Sequence, residues 1–81
     1  MSNIKNLASI LRYHRKKAGL TQQELAKLAG VGKTVVFDLE KGKETVQLDT
    51  LKKILLTLNI TLKLDSPLMQ QYEREGDRET S

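Results

Sequence analysis

Apolar residues recur at three- and four-residue steps through most of this chain, then switch to strict alternation towards its end. Ile4, Leu7, Ile10, Leu11 and Ala18 follow helical spacing, which predicts a first amphipathic helix from Asn3 to about Lys17, capped by Asn3. The stretch Leu20–Gly42, LTQQELAKLAGVGKTVVFDLEKG, predicts two short helices, Gln22 to Ala29 and Lys33 to Lys41. Thr21 and Glu24 form a T-x-x-E capping box, in which each satisfies a backbone donor of the other. Gly30 supplies a C-terminal stop, and Gly32 caps the next helix through its backbone alone. Two helices this short around a glycine-containing turn are the mark of a helix-turn-helix. Leu48, Leu51, Ile54, Leu55 and Leu58 then define a fourth helix with Asp49 in its first turn. Leu56 lies off that stripe and points to a second buried surface.

The period changes at Ile60-Thr61-Leu62-Lys63-Leu64, which alternates apolar and polar as a half-buried strand does. A solitary strand leaves backbone groups unpaired on both edges. Its expected partner is the same strand in a second copy, antiparallel across a two-fold axis; the alternative is an extended tail lying on its own domain. Residues 66–81, SPLMQQYEREGDRETS, are polar with Pro67 as a breaker and are expected to be disordered when free. Leu68, Met69 and Tyr72 are the groups there that can anchor on a partner. The expected organisation is a helix-turn-helix domain over residues 1–59, a dimerising strand over 60–65 and a disordered tail over 66–81.

The second helix of the central pair has two faces at 100° per residue. Val35, Val36 and Leu39 point to a core, whereas Lys33, Thr34, Phe37 and Lys41 lie opposite, with Asp38 at the edge. A phenylalanine among lysines is either a lone exposed apolar residue or part of a face that enters a DNA groove. The charge distribution favours the groove. Residues 1–43 hold nine Lys or Arg against three acids, net +6, and residues 44–81 hold five against seven, net −2. On a chain with a pI near 9.5, that asymmetry is the footprint of a phosphate-binding surface.

Eighty-one residues make one small domain, a size at which oligomerisation is a common remedy for a limited core. The absence of cysteine excludes disulfides and thiolate metal sites, and His14 alone cannot build a zinc site. No apolar run has transmembrane length, and the N-terminus lacks a signal-peptide core, so a cytoplasmic protein without a membrane partner is expected. Gly32-Lys33-Thr34 resembles the end of a phosphate-binding loop. That motif needs a glycine six residues before its lysine, and Lys27 stands there. No enzyme, cofactor or metal is therefore predicted.

Arg15, Gly19-Leu20-Thr21-Gln22, Leu25-Ala26, Gly30-Val31, Val36, Glu40 and Gly42 together resemble the XRE, or Cro/phage-repressor, family of helix-turn-helix proteins over residues 5–58. The continuation Leu58-Asn59-Ile60-Thr61-Leu62 resembles HipB-type antitoxins. The resemblance implies an all-α, lambda-repressor-like bundle of four to five short helices with one C-terminal β-strand that pairs across a homodimer. It implies that Gln22 bonds a phosphate, that Lys33, Thr34, Phe37 and Asp38 face base edges, and that Arg15 and Glu40 tie the first helix to the third. Gln22, Gln23, Lys41 and Lys43 are expected to position the protein on the DNA backbone. Lys33 suits a guanine O6/N7 contact and Phe37 a thymine methyl. Leu56, Ile60, Thr61, Leu62, Lys63 and Leu64 are the expected dimerisation residues. Gly32 and Phe37 depart from the family, where a serine or threonine and polar residues are common, so a relative's operator does not carry over. The implied function is a homodimeric repressor on a palindromic double-stranded DNA operator, autoregulating its operon and acting as the antitoxin of a HipA-like kinase toxin. The alternatives are a general XRE-type regulator without a toxin, and a protein-binding module that neutralises a toxin without reading DNA.

Overall fold

The computed structural model describes residues 3–80, with side chains from Asn6 to Gly76. Five helices are present: α1 (Asn3–Lys17), α2 (Gln22–Ala29), α3 (Lys33–Glu40), α4 (Leu48–Thr57) and α5 (Met69–Thr80). The first two have their predicted bounds, and α3 stops one residue earlier than expected, at Glu40. The cap expected of Asn3 and the burial expected of Ile4 lie outside the described side chains.

Local chemistry sets the boundaries of the central pair. Thr21 Oγ1 accepts the Glu24 N–H at 3.0 Å, and the Thr21 N–H donates to Glu24 Oε1 at 2.8 Å, so the capping box closes in both directions. Gly30 ends α2 in the left-handed region (φ 75°), and the Val31 N–H returns to the Ala26 carbonyl at 2.9 Å, the reversal that glycine makes cheap. Gly32 starts α3 with no side-chain cap.

Leu11 of α1, Leu25 of α2, Val36 of α3 and Ile54 of α4 are the largest fully buried side chains. Each of the first four helices thus contributes one. Ala26, Leu39, Leu55 and Leu58 complete the buried core, and Leu20, Val31, Val46 and Ile60 pack on its margin. The helices meet as α2 on α3, α1 on α3 and α2 on α4; α5 stands outside these pairings. Three expected stripe residues fall elsewhere. Ile10 is 40% and Leu48 62% exposed, and Ala18 is exposed just beyond the end of α1.

The structure corrects two expectations after α4. Residues 60–64 form no strand, and none occurs among the described residues. A ladder requires a second segment, and one copy of the chain supplies no partner for Ile60, Thr61, Leu62, Lys63 or Leu64. The tail expected to be disordered is helical from Met69 to Thr80. Pro67 precedes that helix, where a missing N–H costs nothing, and the Ser66 carbonyl accepts the Met69 N–H at 3.1 Å.

Candidate nucleic-acid interface

The interface begins with a buried carboxylate. Glu40, the last residue of α3, accepts two bonds from Arg15 of α1: Nε to Oε2 at 2.7 Å and Nη2 to Oε1 at 2.9 Å. The guanidinium spends a third donor on the Leu20 carbonyl, Nη1 to O at 2.8 Å. Gln22, opening α2, donates from Nε2 to Glu40 Oε1 at 3.1 Å. One carboxylate therefore joins α1, α2 and α3, with the Arg15 and Glu40 side chains only 11% and 4% exposed. Burial alone would push the Glu40 carboxyl up. The hydrogen bonds from Arg15 and Gln22, with the charges of Arg15 and Arg12, outweigh it and hold the group below its ordinary value. Hydrogen bonding to Glu40 likewise holds the Arg15 guanidinium above its own. No buried side-chain donor or acceptor among the described residues lacks a partner.

This anchor presents the outer face of α3. Lys33, Thr34, Phe37 and Lys41 are exposed, as the helical spacing predicts. Lys41 Nζ lies 4.9 Å from the centre of the Phe37 ring, within cation–π range. Phe37 and Lys41 join Arg12, Arg15, Lys16, Gln22 and Glu40 around an open cleft of about 370 Å³. Arg15 and Glu40 neutralise each other there, which leaves Arg12, Lys16 and Lys41 as its excess positive charge. Arg12 and Lys16 are absent from the sequence-derived site because cations in a helix's last turns already have a structural explanation. Their spacing from Arg15 on one helix was the available signal.

The remaining expected residues divide. Gln22 commits one amide N–H to Glu40 and keeps a second for another acceptor. Gln23 is exposed at the start of α2. Asp38 is turned from the outer face towards the following loop: its Oδ2 lies 3.5 Å from Lys43 Nζ. Of the dimerisation residues, Leu56, Ile60, Leu62 and Leu64 line an apolar groove of about 690 Å³ beside α4, together with Leu48 and Leu55 and with Asp49, Lys52 and Lys53. Thr61 and Lys63 are exposed and lie outside it.

A three-helix anchor presenting a short α3 against α2, beside the cations of Arg12, Lys16 and Lys41, defines a helix-turn-helix protein. The helix-turn-helix family model HTH_3 matches residues 11–64, and the chain belongs to this family of non-enzymatic, XRE-type DNA-binding transcriptional regulators. It is 37% identical over 62 residues to an uncharacterised HTH-type transcriptional regulator of Sinorhizobium fredii, covering 76% of this chain and 82% of the relative. It is also similar to a chain of a HipA-HipB-O2-O3 complex, with a TM-score of 0.69 and 30% identity over 79% of this chain and 90% of that one. The restriction-modification controller protein C.AhdI of Aeromonas hydrophila superposes with a TM-score of 0.66 and 30% identity, covering 75% and 92%. No helix among the described residues is long and apolar enough to cross a membrane.

Proposed function

We propose that this regulator is a homodimeric, sequence-specific repressor that reads a palindromic operator with α3 and autoregulates its own operon in the cytoplasm. The observation that carries the reading is the exposed Lys33–Thr34–Phe37–Lys41 face, held against α1 and α2 by Arg15, Glu40 and Gln22. Lys33 contacts a guanine O6/N7 edge, Thr34 a neighbouring base edge, and Phe37 a thymine methyl. Gln22, Gln23, Lys41 and Lys43 hold backbone phosphates. Asp38 sits at the edge of the base-facing set and steers Lys43. A second copy covers the apolar groove at Leu48, Leu56, Leu62 and Leu64, so that two copies of α3 enter successive major grooves.

The antitoxin role is the finer part of the proposal. A structural neighbour belongs to a complex named for HipA and HipB, and by that likeness a HipA-like kinase toxin is the expected protein partner. A kinase-like gene beside this one would support the assignment, and its absence would leave a general regulator.

Competition in gel shifts tests the DNA reading. Unlabelled DNA from upstream of the protein's own gene should displace a labelled copy about a thousandfold better than random DNA of equal length, the lower range of specific discrimination. Equal competition would favour a module that binds protein alone.

A further inference from the structure

Of Lys33, Thr34, Phe37 and Lys41, only Phe37 has no hydrogen-bonding atom in its side chain. Its ring is also held in place: Lys41 Nζ stands 4.9 Å from its centre, and the ring forms part of the wall of the cleft beside Arg12 and Lys16. With 44% of the residue exposed, over half its surface is already covered. The rest lies on the face shared with Lys33 and Thr34, four and three residues away.

A fixed apolar ring in the major groove is indifferent to the donor and acceptor code. The feature it registers is the group at C5 of a pyrimidine. Thymine presents a methyl there, whereas uracil and cytosine present a hydrogen. Methylation of cytosine places a methyl at the same edge and leaves the N4 amino donor in place. A contact that depends on the methyl alone groups thymine with 5-methylcytosine and separates both from their unmethylated counterparts.

The geometry points to Phe37 as a reader of the pyrimidine C5 methyl, so that methylation of a cytosine at its contact position strengthens DNA binding. This rests on the base-reading role proposed above for α3. A bond donated by Lys33 or Thr34 to thymine O4, or by cytosine N4 to the Thr34 hydroxyl, shifts the absolute preference between thymine and cytosine. Such bonds cancel when each base is compared with its own demethylated form.

The test uses the full chain and a duplex selected by it from a random-sequence library. Each thymine is replaced singly by deoxyuridine to find the sensitive position, where cytosine and 5-methylcytosine are then installed. Binding should weaken about fourfold from thymine to uracil and strengthen about fourfold from cytosine to 5-methylcytosine, the effect of one buried methyl group. Both ratios should fall to one in Phe37→Ala. Phe37→Gln, a second variant with the same expected loss, decides the assignment if the alanine variant fails to fold. A thymine-to-uracil ratio near one at every position, or one that Phe37→Ala leaves unchanged, overturns the inference while selective DNA binding stands. A 5-methylcytosine ratio of one beside a fourfold uracil effect also overturns it. If no duplex is enriched over random DNA, the base-reading role itself fails and the inference falls with it.

Discussion

Glu40 carries three bonds from two other helices, and removing it leaves the Arg15 guanidinium buried without its counter-charge. Glu40→Ala should therefore cost about 3–5 kcal/mol, a large share of the stability of a domain this size, visible as a lower thermal midpoint. The acid limb of stability has a defined sign. A carboxyl held below its ordinary value contributes fully above about pH 4.3, its unfolded value, and loses that contribution as pH falls through the lower folded value. Glu40→Gln should flatten urea-unfolding stability plotted against pH below about 4, if the carboxyl acts as described. Outer-face residues behave differently. Lys33→Ala should cost about 1–3 kcal/mol in operator affinity and relax specificity at one base pair, whereas Lys43→Ala should weaken all sequences alike and reduce the salt slope by about one. The exposed Lys43–Asp38 pair, worth about 0–1 kcal/mol, does not hold the lysine back from a phosphate. Equal losses on operator and random DNA would show that these roles are misassigned. At this scale the sequence made the identity of the anchor pair and the outer face legible. It did not reveal that Gln22 joins the anchor, because two helix ends eighteen residues apart have no periodicity that connects them.

Helices α1 to α4 were legible from their apolar stripes, and at α2 two chemical signals, a capping box and a glycine stop, agreed with the stripe. The capping box is the clearest case. Thr21→Ala removes the acceptor of the Glu24 N–H and should cost about 1 kcal/mol, measured by chemical denaturation, with no change in helix number. The two later segments were misread for different reasons. The alternation at residues 60–64 describes a segment suited to pairing, but it does not contain the partner that turns it into a strand. In α5 the decisive quantity was propensity rather than packing. Glu, Gln, Met and Arg are good helix formers, and the Tyr72 ring lies against Gly76 one turn later, a contact that apolar content alone does not reveal.

At the scale of the molecule, a basic cleft between α1 and the end of α3 and an apolar groove beside α4 lie on different elements. Leu56 is 76% and Leu64 80% exposed in one copy, an unusual display for a soluble monomer when such residues share a groove. Leu56→Glu should shift sedimentation from dimer to monomer and weaken binding to a two-half-site operator more than to a single half-site. A variant that still sediments as a dimer would move the interface off this groove. The charge asymmetry made the basic end of the molecule legible. The composition of the groove was only partly so, since Leu48 had been assigned to the core by its spacing.

The anchoring of α3 from its inner side has a consequence for how such proteins diversify. Val36, Leu39 and Glu40 fix the helix, whereas Lys33, Thr34 and Phe37 are exposed and take no part in that anchor. The two sets occupy one helix yet answer to separate demands, one to folding and the other, in the function proposed above, to the DNA sequence. Substitutions at Lys33 and Thr34 are thus close to free of folding cost, and in the proposed reading role the outer face of α3 behaves as an exchangeable cassette. A lineage, or an engineer, can rewrite its target while the scaffold beneath stays the same.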